Sequence, residues 1–308
     1  MSEPGCSPGM MKNLARRQLK DLLFQWLGLL CLLFALTTLL ALVLDLAMTG
    51  VPRLSMDFFL NFPSRWPEKA GILSAWVGSL CVMLTTALCA IPLGVAAGVY
   101  LEEYAPKNFF TTILELNIIN LAGIPSIIYG LMALGFFVYK LQLGQSILTA
   151  GLTLGLLILP IIIVCTREAI RTVPNIIREA AYALGASKLQ VVSDHVLPYS
   201  FGGILTGMII SLSRAVGETA PLITIGALTF IAFLPTAPVS DVFPYLSMQW
   251  IKDPFTVMPI QMFNWVSRPQ SEFHVNAAAT GLVLLFMTLA MNLVAIVIRY
   301  RFRKKMKW

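Results

Sequence analysis

The first apolar run of the chain is the feature that most restricts its fold. Leu22 to Leu44 is a stretch of 23 residues without a charged side chain, and a helix needs about 20 residues to cross the hydrocarbon core of a bilayer. The apolar core of a secretory signal covers only about 7–15 residues, so a retained membrane span is predicted, with a cleaved signal as the alternative. Charged residues make up only 12% of the chain, against about 25% in soluble domains. Run length and composition together predict an integral membrane protein.

Five further apolar runs predict an all-α, polytopic membrane protein with six transmembrane helices. The predicted spans are residues 22–44, 71–99, 113–139, 144–166, 201–234 and 277–298. The third span is interrupted by Gly123-Ile-Pro-Ser126. The fifth has 34 residues and would be about 51 Å long as one helix, well beyond a hydrocarbon core of about 30 Å. It is therefore predicted to tilt, protrude or break, and Gly217-Glu-Thr-Ala-Pro221 is the natural break.

The placement of basic residues predicts the orientation of the spans. The net charge of +7 is explained by the bias of Lys and Arg towards cytoplasmic loops, and nucleic-acid binding is not expected. With the N-terminus inside, the cytoplasmic segments hold fifteen Lys and Arg and the outer segments hold six. These cytoplasmic segments are 1–20, 100–112, 167–199 and 299–308. Both termini are therefore predicted to lie in the cytoplasm, together with the polar segment 167–199.

The polar stretch from Glu179 to Pro198 is predicted to form a helical hook between the fourth and fifth spans. Two helix-forming blocks meet at Gly185, which takes positive φ without strain, and Pro198 is predicted to end the second block. Small residues give the hook its surface: Ala180, Ala181, Ala183 and Ala186. A compact hook of this kind suits a partner protein that grips it, and an ordinary loop between spans is the alternative.

The sequence carries no recognisable catalytic or metal-binding motif. It has no HExxH, GxSxG or phosphate-binding GxxxxGK[ST] pattern. Four of the five cysteines lie in apolar runs and none forms a CxxC pair, so they are interpreted as small apolar residues. The two histidines, His195 and His274, lie far apart. The chain is therefore predicted to be no enzyme and to hold no cofactor, and any energy from ATP must come from another chain.

Arg214 and Glu218 are ionisable residues within the fifth apolar run. Each costs at least about 2.5 kcal/mol at membrane depth and needs a partner or a water-lined path. A self-neutralising pair is one interpretation. In the other, Arg214 attracts an anion and Glu218 tunes or gates the path, because the planar guanidinium matches two oxygens of an oxyanion such as phosphate.

Two predicted helix breaks lie close to membrane depth. Thr219 and Pro221 suit the cap and first turn of a half-helix whose free amides would face an anionic solute. Ser126, after Pro125, is a second candidate for such a site, although a proline kink that serves packing is the simpler interpretation there.

Glu115, near the inner end of its span, is expected to face water, and a solvated helix end is an adequate account of Arg167 and Arg171.

The loop of residues 235–276 is rich in proline and aromatic residues. Its aromatic residues include Trp250, Phe255, Phe263 and Trp265. Because Trp favours the membrane interface, the loop is predicted to lie along the outer face of the bilayer. A docking surface for another protein is the alternative.

The hook resembles the EAA loop of the permeases of ABC importers. That pattern is Glu-Ala-Ala, three residues, Gly, nine residues and then Ile-x-Leu-Pro. Here it reads Glu179-Ala180-Ala181, Gly185 and His195-Val-Leu197-Pro198. His195 departs from the aliphatic residue that is usual in the family, which affects local packing and leaves the Gly185 hinge intact. The resemblance implies that Glu179, Ala180, Ala181, Gly185, Leu197 and Pro198 couple the permease to an ATPase.

Three further segments resemble phosphate-importer permeases of the PstA type. They are Gly123–Gly130, Ser213–Pro221 and Pro259–Trp265. The resemblance covers about residues 70–300 and implies a type I importer permease (MetI-like) fold for residues 70–308. Residues 1–69 would then form a cytoplasmic tail, the first transmembrane helix and an outer loop.

The same resemblance implies a set of partners in a bacterial inner membrane. The permease would pair with a PstC-like sister permease and two PstB-like ATPase subunits, which would carry ATP and Mg²⁺, and a periplasmic PstS-like protein would deliver phosphate. A permease for sulfate, molybdate or tungstate is the nearest alternative. A secondary transporter that works alone is a further one, although it would have no use for an EAA loop.

Overall fold

The computed structural model describes residues 8–237 and 247–305, and within these ranges the chain is helical without β-strands. Its α-helices are α1 Pro8–Gly50, α2 Met56–Leu60, α3 Leu73–Val99, α4 Phe109–Ala122, α5 Ser126–Ala133, α6 Ile147–Arg171, α7 Asn175–Ala183, α8 Lys188–Gln190, α9 Leu197–Gly217, α10 Ala220–Thr224, α11 Met258–Val266 and α12 Ser271–Lys305. Three π-helical segments continue α3, α5 and α8: Tyr100–Tyr104, Leu134–Lys140 and Val191–Val196.

The helices form a bundle with two distinguishable ends. At the end that we name the loop end, the amide of Ile147 at the start of α6 donates to the carbonyl oxygen of Asp253 at 3.1 Å. At the opposite end, which we name the hook end, α6 runs towards α7. Within the described residues, five helical stretches are long and apolar enough to cross a membrane, and the bent pair α4–α5 makes a sixth if it counts as one span.

The bent pair crosses the bundle from one end to the other. The two helices meet at an angle of 103°, with Pro125 as the cap residue of α5 and the Tyr129 hydroxyl donating to the Leu121 carbonyl oxygen at 2.9 Å. Glu115 of α4 pairs with Arg167 at the hook end, whereas α6 begins at the loop end soon after the pair finishes. Residues 109–140 therefore run from one end of the bundle to the other, which agrees with the predicted count of six spans.

Helix α6 lies at the centre of the bundle, with α3 and α9 packed along it. Small residues allow these helices to approach closely, as is usual for helices in membranes. A Cβ atom added at Gly98 of α3 would lie 2.7 Å from the Thr166 Cβ, and one added at Gly203 of α9 would lie 2.7 Å from the Ala169 Cβ. The backbones are thus as close as glycine permits.

The fifth span corrects the prediction for Pro198 and confirms the prediction of a break. Helix is continuous from Lys188 to Gly217, so Pro198 does not end the second block of the hook. The amide of Leu197 donates to the Val192 carbonyl oxygen across the π-helical turn. This wider turn shifts the hydrogen-bond register just before Pro198. Pro198 then lies in the first turn of α9, where a missing amide costs little. The break follows Gly217, as predicted.

The aromatic residues near the loop end pack inside the protein. Trp250, Phe255 and Trp265 are buried, whereas Phe263 is exposed. The Trp265 ring lies 6.1 Å from the Phe58 ring. The prediction that this loop lies along the membrane interface is therefore wrong for the side chains of Trp250, Phe255 and Trp265, because burial of an apolar ring stabilises more than its partial immersion in the interface. Residues 238–246 of the loop lie outside the described residues.

The first span, α1, stands at the edge of the bundle. It packs on α12, and a Cβ atom added at Gly50 would lie 2.8 Å from the backbone of Ala278. The most apolar window of α1 buries none of its residues within the chain. A helix with this composition has its apolar surface available for lipid or for another membrane protein.

Candidate coupling hook and translocation path

The hook turns at Gly185 through a Schellman motif. Gly185 has a φ of +83°, its amide donates to the Tyr182 carbonyl oxygen at 2.9 Å, and the Ala186 amide donates to the Ala181 carbonyl oxygen at 3.1 Å. These two bonds close the C-terminus of α7. The Ser187 side chain then caps α8 in a capping box with Gln190. The predicted glycine hinge is thus a defined backbone turn.

One side of the hook packs against the bundle and the other faces outwards. Ala181 is buried in a cluster with Ile170, Val173, Val191 and Val196, while Glu179 and Ala180 are exposed and Leu197 and Pro198 are half-buried. Leu184 is 90% exposed and Ile176 is 72% exposed. Bulky apolar side chains exposed on a polar segment are typical of a surface that a partner covers.

His195, the residue that departs from the family pattern, lines a small cavity in the hook. The cavity has a volume of about 270 Å³ and is also lined by Ile177, Ala180, Leu184 and Tyr199. His195 therefore packs against the first block of the hook and leaves the turn at Gly185 unaltered.

The two helix breaks predicted from the sequence meet in the structure. Tyr129 of α5 belongs to the same buried cluster as Ala215 and Val216 at the end of α9. A Cβ atom added at Gly130 would lie 2.6 Å from the Pro221 Cα, so α5 and α10 are in backbone contact. Ser126 lies one turn before Gly130 on the same face of α5. The structure thus brings the predicted sites at Ser126 and Pro221 into one region.

Arg214 and Glu218 form the predicted ion pair beside this region. The Arg214 Nε lies 3.5 Å from the Glu218 Oε1, and the two side chains are 44% and 19% exposed. Glu218 is the residue that follows the last turn of α9, with an extended backbone. The pair is long and partly open, which leaves the guanidinium accessible from outside the chain.

The predicted half-helix begins after the break, with Thr219 in the cap position and Pro221 in the first turn, but it is short. Helix α10 has only 5 residues, and the Thr219 side chain makes no capping hydrogen bond. The amides of Leu222 and Ile223 both donate to the Thr219 carbonyl oxygen, and Pro221 has no amide to offer. The amides of Leu222 and Ile223 are thus bonded within the turn, so fewer donors remain for an anion than the prediction requires.

The hook end holds a network of ion pairs that the sequence reasoning missed. Glu115 was expected to face water, but its Oε1 lies 2.6 Å from the Arg167 Nη2, and Arg167 is buried. Arg167 also pairs with Glu102 at 3.3 Å, and Arg178 of α7 pairs with Glu103 at 2.8 Å. The interpretation of Arg167 as a solvated helix end is therefore wrong. The adjacent acidic residues 102 and 103 after the second span were the available signal.

Comparison with known proteins gives consistent similarities. Residues 90–308 match the family model described as "Binding-protein-dependent transport system inner membrane component". The chain is 37% identical over 209 residues to the phosphate transport system permease protein PstA of Haemophilus influenzae, across 67% of this chain and 73% of that protein. It is 31% identical over 300 residues to the protein of the same description from Yersinia pestis, across 96% and 94% of the two chains.

A solved structure shows the same fold. An inward-facing structure of the MetNI methionine ABC transporter superposes with a TM-score of 0.56 at 16% identity, across 73% of this chain and 93% of that one. With the family match, this confirms the predicted MetI-like fold.

Proposed function

Because the chain belongs to the family of binding-protein-dependent transport system inner membrane components, we propose that it is a PstA-type permease subunit that carries inorganic phosphate through an ATP-driven importer. The observation that carries the proposal is the similarity to proteins described as phosphate permeases, which extends over 96% of this chain in one case. The exposed hook and the accessible Arg214 give that similarity a physical basis.

The hook supports the proposal that ATP is hydrolysed on separate subunits. Leu184 and Ile176 project from α7 at the hook end, where an amphipathic helix can lie in a groove of a partner. Two PstB-like ATPases with ATP and Mg²⁺ would grip this surface, and the hook end would face the cytoplasm. A PstC-like sister permease and a PstS-like binding protein complete the proposed importer.

The translocation path is proposed to run beside Arg214, along the face where α5 and α10 meet. Within the described residues, Arg214 forms an ion pair with Glu218 alone, and that pair is long. The Nη atoms of Arg214 can therefore donate two hydrogen bonds to an oxyanion. A charge-assisted hydrogen bond contributes about 1.5–3 kcal/mol. Loss of Arg214 is therefore expected to lower phosphate uptake by about 10- to 100-fold.

The test is uptake of labelled phosphate by the reconstituted importer, with and without this chain. Sulfate and molybdate are added as competitors, and co-purification of an ATPase is measured in parallel. Arg214→Gln should depress uptake while the subunits still assemble, and Arg214→Lys should retain part of it because the charge remains. Arg65, an exposed arginine stacked on Trp66, gives the matched control Arg65→Gln.

Each outcome bears on a different part of the proposal. Strong competition by sulfate or molybdate would reassign the substrate to another oxyanion. Phosphate uptake without an ATPase would favour a secondary transporter. Unchanged uptake in Arg214→Gln would return the Arg214–Glu218 pair to a purely structural role.

A further inference from the structure

The ion pairs at the hook end form a continuous chain of alternating charges across three helices. Glu115 of α4 pairs with Arg167 of α6 at 2.6 Å, and Arg167 pairs in turn with Glu102 at 3.3 Å. Glu102 also pairs with Arg171 at 3.0 Å, which reaches Glu168 at 3.0 Å. The side chain of Arg167 is only 7% exposed, so its two acidic partners are required to offset the cost of its burial.

A second branch ties the hook to the same place. The side chains of Arg178 and Glu103 are 17% and 9% exposed and pair at 2.8 Å. Arg178 also donates to the Val173 carbonyl oxygen at 2.7 Å and to the Ile170 carbonyl oxygen at 3.2 Å. One guanidinium thus joins the first block of the hook, the end of α6 and the π-helical segment after α3.

Glu102 and Glu103 are neighbours in the chain, yet they serve different branches. Both belong to the π-helical segment Tyr100–Tyr104, in which the wider turn changes the direction of successive side chains. Glu102 faces Arg167 and Arg171 of α6, and Glu103 faces Arg178 of α7. The segment is therefore a hub through which a displacement of α7 reaches both α6 and α4.

A polar cavity leaves room for movement beside the network. It has a volume of about 420 Å³, and its lining includes Glu102, Glu115, Arg167, Lys107 and Asn108. A polar cavity of this size holds water, so the start of α4 can shift against α6 without leaving a charge unsolvated. A dry and tightly packed contact would resist such a shift.

We propose that the Glu102–Glu103 hub is a transmission joint, with Arg178, Arg167 and Glu115 as positioning residues. The inference rests on the proposed function and deepens it. A partner that pulls on α7 moves the hub through Glu103–Arg178, and the hub moves α4 through Arg167 and Glu115. Helix α4 leads to the break at Pro125, whose far side contacts α10. The joint thus links the ATPase-facing hook to the path beside Arg214.

The test measures ATP hydrolysis and phosphate uptake together in the reconstituted importer, normalised to assembled complex. Glu103→Gln and Glu115→Gln should each lower uptake at least tenfold while hydrolysis stays within about twofold, so that more ATP is used for each phosphate. The double variant should lower phosphate uptake no more than either single variant does, because loss of one contact already interrupts the series of ion pairs. Arg178→Lys should be intermediate, since it keeps the charge and loses carbonyl contacts. Arg16→Gln, at an exposed arginine of α1, is the control.

Other results would overturn the joint and leave the proposed function standing. If the wild-type importer carries phosphate but uptake and hydrolysis fall together in both variants, the pairs only hold the fold. If the two losses multiply in the double variant, they are independent contacts. Unchanged uptake also excludes the joint. If a single variant does not assemble, the ratio of ATP hydrolysis to phosphate uptake is measured in Arg178→Lys instead. A ratio equal to that of the wild type refutes the joint. Failure of the proposed function itself would show as no phosphate uptake in the wild type.

Discussion

Substitution of Gly185 separates the backbone geometry of the hook from its side-chain contacts. A Cβ atom added at Gly185 would meet nothing within 4 Å, yet φ is +83°. Gly185→Ala therefore introduces backbone strain without a steric clash. Gly185→Asn introduces less strain, since Asn adopts the left-handed region more readily than Ala. Gly185→Pro forces φ to about −65° and removes the amide, which here bonds the Tyr182 carbonyl oxygen at 2.9 Å.

The expected magnitudes follow from these differences. A left-handed Ala costs about 1–2 kcal/mol. Part of this cost is offset, because Ala reduces the conformational freedom of the unfolded chain and so favours folding by about 0.4–1 kcal/mol. The net cost of about 1 kcal/mol lowers the ratio of ordered to disordered turn about fivefold. Gly185→Pro cannot form the turn at all and should cost about 3 kcal/mol or more. Uptake should therefore decrease in the order Gly, Asn, Ala, Pro.

The assay is ATP-driven phosphate uptake by the reconstituted importer, with the amount of inserted permease measured on the same vesicles. Gly185→Pro should abolish uptake although the chain still inserts. Gly202→Ala is the control, because Gly202 is helical and a Cβ atom there also meets nothing within 4 Å. Normal uptake with Gly185→Pro, or lower uptake with Asn than with Ala, would refute the role assigned to the left-handed turn.

Two further substitutions test the contacts that hold the breaks and the loop end. Gly130→Ala should push α5 away from Pro221, because the new Cβ atom would lie 2.6 Å from the Pro221 Cα. The overpacking should cost about 1–3 kcal/mol and should lower both the thermal stability and the phosphate uptake. Unchanged stability and uptake would contradict the contact. Arg53→Ala should lower the free energy of unfolding by about 1.5–3 kcal/mol, since Arg53 bonds the buried Asn276 at 2.8 Å. Thermal unfolding in detergent measures the loss, and a decrease of the same size in Arg65→Ala would show that the effect is not specific.

The spans and their breaks were predictable because each depends on a short stretch of chain. An apolar run long enough for a bilayer crosses it wherever the rest of the protein lies. The break after Gly217 was predictable for the same reason. A single helix of 34 residues would be longer than the hydrocarbon core is thick. The turn at Gly185 follows from the permissive φ of glycine. None of these features requires knowledge of a distant partner.

The ion network was missed because its pairs join residues far apart in the chain. Glu102 and Arg167 are separated by 65 positions, and Glu103 and Arg178 by 75. Each residue lies at a helix end, where a solvated side chain is the ordinary expectation. The burial of Trp265 was missed for a similar reason, because its neighbour Phe58 comes from a distant part of the sequence.

The prediction that the Thr219 side chain caps a half-helix is wrong, because that side chain makes no capping hydrogen bond. A broken helix was expected to offer free amides to an anion, but the amides of Leu222 and Ile223 are already bonded to the Thr219 carbonyl oxygen. Helix α10 has 5 residues, so its early carbonyls and amides bond one another and little dipole accumulates. We therefore expect a side chain to supply most of the attraction for an anion at this break. The guanidinium of Arg214 lies one turn before the break with a long ion pair of 3.5 Å to Glu218, and the proposed anion site requires that it exchange this carboxylate for an oxyanion.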